Sequence, residues 1–461
     1  MSRFRQVKCV LFDMDGLLLD TERLYTEGTQ KILSEYGHTY DWSFKSRLMG
    51  QRTDEVARMV VEHYKLPFSP AEWITRSQAV YRELFPTVQS LPGVARLVHH
   101  LARHGIPLAV ASSSSTAAYK LKTEQHTGLF SLFDAVVLGD EERVERGKPA
   151  PDIFLVAAAE LGTPPPDCLV LEDAPLGVLA GKAAGCQVVM VPDSRLDPAT
   201  RENPHLVLDT LNGLDPTLFG LPGFSYSPVT HVIFDMDGLL LNTQEMYSAV
   251  SRRLLAQHGQ QPDWQFKMSV IGRRAEEVAD MAVSHYGLPY TGPEYLALHQ
   301  AELAALLPNC DLLPGAERLV RHLHGCGIPI ALATSSSLAS LTTKTATKHQ
   351  EFFSLFSPVV TGCDPALATA KPDPAIYRLA ATRFSEPPAS PAACLVFEDA
   401  PNGVTAGLGA GMQVVMVPHP NTRKQHLLPA TQLLASLQHF RPQDFGLPPF
   451  PDTDSSEVTS T

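Results

Sequence analysis

Runs of four to six apolar residues without polar alternation recur along the chain at 7–12, 106–111, 135–138, 168–171 and 188–191. They lack the period of two that marks a half-exposed strand. They therefore predict strands buried on both faces. Helical periodicity fills the intervals. Over 92–104, Val94, Leu97, Val98 and Leu101 share one face of a helix that Gly105 ends, and 152–161 and 175–184 read the same way. Strands alternating with helices predict an α/β fold, a doubly wound parallel sheet covered by helices on both sides.

One stretch breaks the alternation. From about 21 to 91 the pattern is helical throughout. Leu24, Ile32 and Leu33 fit one helix, Val56, Met59, Val60 and His63 a second, and 73–84 a third. An all-helical insert directly after the first strand would lie over the carboxyl edge of the sheet, where ligands bind in this architecture. It reads as a cap.

The whole pattern then repeats. Phe12-Asp13-Met14-Asp15-Gly16-Leu17-Leu18-Leu19 recurs as Phe234-Asp235-Met236-Asp237-Gly238-Leu239-Leu240-Leu241. The same displacement of 222 positions carries Pro92-Gly93 to Pro314-Gly315 and Ser112 to Thr334, and it drifts by only a few residues further on. A period this long denotes duplicated domains and not a solenoid. The reading is one domain over 1–222 with a cap at about 20–90, a linker at 223–228, a second domain over 229–448 with a cap at about 242–312, and a polar disordered tail at 449–461.

Composition narrows the function classes. With 461 residues, 44% hydrophobic and 19% charged, the chain reads as a globular protein of two domains or more. A net charge of −12 argues against a nucleic-acid polymer or an acidic membrane as partner. It leaves room for a small phosphorylated metabolite, which meets only its pocket's local field. The seven cysteines are scattered without a CxxC pair, which predicts free thiols in a cytoplasmic protein. The first residues lack the apolar run of a secretory signal, and no stretch approaches a membrane span.

Polar residues follow the predicted strands in order: Asp13 and Asp15, then the serines from Ser112, then Lys148 in a loop, then Glu172 and Asp173. All would meet at one sheet edge. Four carboxylates that close would repel, so a divalent cation is the natural counter-charge, and oxygen ligands alone favour Mg²⁺. A lysine and a hydroxyl beside them would complete a phosphoryl-binding site. Asp235, Asp237, Thr334, Lys371, Glu398 and Asp399 repeat the set.

Asp-x-Asp-Gly, the strand ending in Ser or Thr, the Lys-Pro loop and Glu-Asp-Ala-Pro together resemble the haloacid dehalogenase-like superfamily of phosphatases. Phe12-Asp13-Met14-Asp15-Gly16-Leu17-Leu18-Leu19-Asp20-Thr21-Glu22-Arg23-Leu24-Tyr25 and the stretch 394–418 narrow this to its pseudouridine-5′-phosphatase-like members. The resemblance implies tandem Rossmann-like domains and hydrolysis of pseudouridine 5′-phosphate or a similar small nucleotide or sugar phosphate. It makes Asp13 and Asp235 nucleophiles and Asp15 and Asp237 acid/base groups. Ser112, Thr334, Lys148 and Lys371 would hold phosphate. Mg²⁺ would take Asp13, Asp173, Asp235, Asp399 and the main-chain carbonyls of Asp15 and Asp237, with Glu172 and Glu398 close by.

Blander readings stand beside these. Ser113, Ser114 and Ser115 are loop or helix-capping residues, the run 141–146 is a solvated face, His99, His100 and His285 are surface or packing residues, and 403–411 is a helix packed tightly on its sheet. Two other functions remain open: a sugar-phosphate mutase on the same core, or one working half beside a binding or scaffold half. Asp20-Thr21-Glu22 becomes Asn242-Thr243-Gln244, so the second site is locally less acidic. Oligomeric state stays open, including an internal pseudo-dimer.

Overall fold

The computed structural model describes residues 4–263, 266, 270 and 275–451. It divides into two compact units, Met1–Ser225 with Pro420–Leu428, and Tyr226–His419 with Pro429–Thr461. The expected tail lies mostly outside the described residues, as does part of the second expected cap between 264 and 274.

The first unit is built on β1 (Cys9–Phe12), β2 (Leu108–Ser112), β3 (Ala135–Leu138), β4 (Cys168–Glu172), β5 (Gln187–Met190) and β6 (Leu206–Val207). All pair in parallel, in the order β3-β2-β1-β4-β5-β6. The chain winds outward in both directions from β1 and β4, which is the doubly wound arrangement the apolar runs predict. Strands β1, β2, β4 and β5 are buried along their whole length. Their Val and Leu side chains join Ile153, Phe154 and Val178 of the flanking helices in one core. Burying each such side chain stabilises the fold by about 1.5–3 kcal/mol.

The interval after β1 holds helices Thr21–Ser34, Trp42–Lys45, Thr53–Tyr64 and Pro70–Leu84 and no strand. They close on a separate apolar cluster that includes Ile32, Leu33, Phe44, Val60 and Trp73. Ser69 and Glu72 form a capping box at the start of the last helix, with Pro70 at its first position, so its free N–H groups are satisfied locally.

The second unit repeats this plan with β7 (His231–Phe234), β8 (Ile330–Thr334), β9 (Val359–Thr361), β10 (Cys394–Glu398), β11 (Gln413–Met416) and β12 (Gln432–Leu433), ordered β12-β11-β10-β7-β8-β9. Helices Thr243–Ala256, Ala275–Tyr286 and Gly292–Leu306 follow β7 and pack around Val250, Leu254, Ala279 and Leu303. The glycine-rich stretch is a helix, Pro401–Gly409, whose Gly407 lies so close to the sheet that a Cβ there would sit 2.8 Å from Val414. Among the described residues, no helix is long and apolar enough to cross a membrane.

Candidate active site

The site starts from the pairing of β1 with β4. Phe12 stands opposite Leu171, so the residues that follow each strand emerge side by side. The Asp13 N–H donates to the Leu171 carbonyl at 3.0 Å and extends the ladder by one bond. Asp13 and Asp173 therefore lie next to each other at the carboxyl edge. The turn after Asp15 needs Gly16, whose φ is +78° and where a Cβ would lie 2.2 Å from Asp173 Oδ2.

Lys148 reaches this edge from the loop after β3. Its Nζ donates to Asp13 Oδ1 at 2.5 Å and to Glu172 Oε1 at 2.6 Å, and its side chain is 1% exposed. The second Glu172 oxygen, Oε2, accepts the N–H groups of Asp173 and Ala174, both at 2.8 Å. Glu172, expected only near the metal ligands, thus anchors the lysine and the turn that carries Asp173. Its room comes from Gly177 in helix Pro175–Ala183, where a Cβ would stand 1.5 Å from Oε1.

Burial sets the electrostatics. It pushes the Asp13 carboxyl up to about 7, against the pull of Lys148 and with added repulsion from Glu172. Burial, then Glu172 and Asp13, raises Asp173 well above the usual carboxylate range. Burial alone would push Lys148 down; the Asp13 and Glu172 carboxylates outweigh it and hold the ammonium above its ordinary value. The lysine alone does not neutralise this edge.

Ser112 ends β2 fully buried, with Oγ 3.3 Å from Asp15 Oδ2. Two partners of Asp15 were not placed in the site from the sequence. Ser114 Oγ donates to Oδ2 at 2.8 Å, and Lys122 Nζ donates to Oδ1 at 2.5 Å and to the hydroxyl of Tyr25 at 2.7 Å. Burial raises the Asp15 pKa, but Lys122 and then Ser114 overcome it and hold the carboxyl below its usual value. Of the serines read as loop or capping residues, Ser115 does cap helix Thr116–Thr123, whereas Ser114 faces the site. One signal was available: Lys122-Thr123 recurs as Lys344-Thr345 at the same displacement as the aspartates.

The second unit assembles the same groups. Lys371 donates to Asp235 Oδ1 and Glu398 Oε1, both at 2.6 Å. Ser336 and Lys344 bind the two oxygens of Asp237 at 2.7 and 2.6 Å, and Thr334 Oγ1 lies 3.5 Å from Oδ2. Burial again raises Asp235 to about 7. Two differences stand out. The Tyr377 hydroxyl donates to Glu398 where the first unit has Phe154 against its lysine. Gln244 donates its amide to Asp399, whereas Glu22 pairs with Lys45 at 2.9 Å.

In the second unit, oxygens of Asp235, Glu398 and Asp399 lie within 4.8 Å of one another, all three buried. Hard oxygen donors, uncompensated negative charge and a glycine cradle at Gly16 and Gly238 fit a small divalent cation of the Mg²⁺ type. Beside the first cluster a cavity of about 130 Å³ separates the sheet edge from the helical insert, with Asp13, Asp15, Tyr25, Tyr40, Lys45 and Tyr81 on its walls.

Known proteins are similar to each half of this chain. Residues 10–191 and, separately, 229–411 match sequence models described as haloacid dehalogenase-like hydrolase. A Drosophila melanogaster protein named probable pseudouridine-5′-phosphatase is 49% identical over 224 residues, 48% of this chain and 97% of that protein. The mitochondrial (DL)-glycerol-3-phosphatase 1 of Arabidopsis thaliana is 45% identical over 223 residues, 47% of this chain and 75% of that protein. The crystal structure of CbbY from Rhodobacter sphaeroides in complex with phosphate aligns at 26% identity and a TM-score of 0.40, over 45% of this chain and 96% of that one.

Proposed function

The chain belongs to the haloacid dehalogenase-like hydrolase family and is a phosphatase, and from that premise we propose that each unit is a complete Mg²⁺-dependent phosphomonoesterase working through an aspartyl-phosphate. The observation that carries the reading is the buried Asp13–Lys148–Glu172 chain beside Asp15 and Asp173, built again as Asp235–Lys371–Glu398 beside Asp237 and Asp399.

Each side chain has a part that its surroundings support. Asp13 attacks phosphorus while the bond to the leaving oxygen breaks. Asp15 gives that oxygen its proton, and the alcohol departs. A water molecule then loses a proton to Asp15 and attacks the same phosphorus; the bond to Asp13 breaks, and inorganic phosphate leaves. Splitting one displacement into two lets a single carboxyl serve as acid and then as base. Lys148 and Ser112 hold phosphoryl oxygens, and Glu172 holds Lys148. Asp13, Asp173 and the Asp15 carbonyl would bind Mg²⁺, as would Asp235, Asp399 and the Asp237 carbonyl. The ion supplies positive charge next to the phosphoryl group. In the second unit Asp235, Asp237, Thr334 and Lys371 take the corresponding parts.

A small nucleotide or sugar phosphate is the proposed substrate class, with pseudouridine 5′-phosphate the first candidate because of the Drosophila relative. The Tyr25, Tyr40 and Tyr81 walls of the first cavity suit a polar ring-bearing leaving group. Corresponding wall positions in the second unit carry Tyr247, Pro262 and Leu303, so its substrate range differs.

Phosphate release by Asp13→Asn, Asp235→Asn and the double variant, on a panel of nucleotides and sugar phosphates, tests this reading. Each single variant should keep the other unit's activity, and the double variant should lose all of it. Loss of everything in Asp13→Asn alone would leave one working unit. Wild-type activity in the double variant would remove the nucleophile assignment.

A further inference from the structure

Lys122 has no part in the mechanism above. Yet its side chain is fully buried on helix Thr116–Thr123, with Nζ bonded to Asp15 Oδ1 at 2.5 Å, Ser114 Oγ at 2.7 Å and the Tyr25 hydroxyl at 2.7 Å. The rings of Tyr25 and Phe85 lie 4.9 Å from it. An ammonium taken this far from water loses several kcal/mol of hydration and is tolerated only when its donors are matched. All three of its N–H donors have an acceptor here, and the only one bearing formal charge is Asp15.

The second unit repeats the arrangement on different surroundings. Lys344, on helix Leu338–Thr345, is also fully buried. It donates to Asp237 Oδ1 at 2.6 Å and to Ser336 Oγ at 2.9 Å, while Ser336 Oγ holds Oδ2 at 2.7 Å. In both units, then, a lysine takes one oxygen of the acid/base carboxylate and a serine, itself held by that lysine, takes the other.

The geometry points to Lys122 and Lys344 as positioning residues that, with Ser114 and Ser336, fix the acid/base carboxyl for proton transfer to the leaving oxygen. This rests on the aspartyl-phosphate reading above. Proton transfer needs the carboxyl within about 2.6–3.2 Å of the leaving oxygen. An Asp15 side chain without its lysine would be free to turn among neighbouring carboxylates, and a displacement of about 1 Å costs about 100-fold in rate. The step it serves is balanced. The proton goes from Asp15 to the leaving oxygen as the P–O bond breaks, and water returns a proton to Asp15 when the aspartyl-phosphate is hydrolysed.

This role is separable from a merely structural one by the leaving group. An alkoxide cannot leave without a proton, whereas p-nitrophenolate can. In a full-length Asp235→Asn chain, where only the first unit works, kcat/KM reports the steps through departure of the leaving group. Lys122→Met should lower kcat/KM by about 100-fold for the best alkyl phosphate of the panel and by less than about fivefold for p-nitrophenyl phosphate. Lys122→Arg, which keeps the charge, should recover part of the alkyl loss. Adding Lys122→Met to Asp15→Asn should change nothing further, because the lysine acts through the aspartate. Equal losses on both substrates, as partial unfolding would give, overturn the proposal, and so does an additive loss in the double variant. Those outcomes leave the nucleophile assignment intact, since that is decided separately by the Asp13→Asn and Asp235→Asn chains.

Discussion

Gly177→Ala is the most economical change that should dismantle the first site without touching a charged residue. A Cβ at 177 would stand 1.5 Å from Glu172 Oε1 and 1.9 Å from its carboxyl carbon. To reach van der Waals separation the carboxylate must retreat by about 2 Å. That movement breaks the 2.6 Å bond from Lys148 and the two 2.8 Å bonds from the Asp173 and Ala174 N–H groups. Disrupting a buried charge network of this kind costs about 3–5 kcal/mol, against a gain of about 1 kcal/mol from replacing a helical glycine. The net expectation is a destabilisation of about 2–4 kcal/mol. Lys148 loses its brace, so phosphate release by the first unit should fall about 100-fold.

Urea unfolding of the full chain, and phosphate release in an Asp235→Asn background, measure the two effects. Gly403→Ala should reproduce them in the second unit, where the Cβ would lie 1.7 Å from Glu398 Oε1. Gly409→Ala is the control. It belongs to the same helix as Gly403, its nearest neighbour would be Pro374 at 3.7 Å, and it should be neutral or stabilising by up to about 1 kcal/mol. A Gly177→Ala protein as stable and as active as wild type would refute the view that Glu172 is an immovable anchor.

Three further outcomes follow from the same structure. His99 is buried and held down to about 4 from 6.5, so the stability it contributes is present above pH 6.5 and lost as pH falls through 4, about 3 kcal/mol in all; His99→Gln should flatten the stability profile over that window, and an unchanged profile would contradict it. Burial pushes the Asp13 carboxyl up to about 7 and raises Asp173 well above the usual carboxylate range, so Mg²⁺ binding near neutral pH should release protons, read by calorimetry as a heat that depends on the buffer's ionisation enthalpy; a buffer-independent heat would count against the assigned ligands. Tyr377→Phe removes a hydrogen bond that the first unit does without at Phe154, so it should cost about 1 kcal/mol of stability and leave second-unit turnover within about tenfold in an Asp13→Asn background, whereas complete inactivation would mean the second site is built differently.

The framework of both units could be read from the chain because its signals are local. Strands buried on both faces are unbroken apolar runs, and β1 through β5 fall on the five runs within a residue or two at each end. The edge strands β6 and β12 were not foreseen, since two residues carry no period. The four motif positions were legible because each polar residue ends a strand or follows it. Lys122 was not, because a lysine in a short helix between Tyr119 and Thr123 looks like any solvated lysine. Only the fold brings Tyr25 and Phe85 around its ammonium and Asp15 to its tip. Glu172 was seen but misjudged in emphasis. Its two oxygens are spent on Lys148 and on the turn N–H groups, a division that depends on Gly177 being open and that no spacing rule reveals.

The central claim is that this chain carries two nucleophilic aspartates, each forming its own covalent intermediate. Rapid acid quenching of the full-length protein during turnover, followed by peptide mapping of acid-stable, base-labile phosphate, reads this directly. The account predicts label at Asp13 and at Asp235, with each Asp→Asn variant losing its own label and keeping the other. Phosphate found on a serine, a histidine or no residue at all while product accumulates would contradict it.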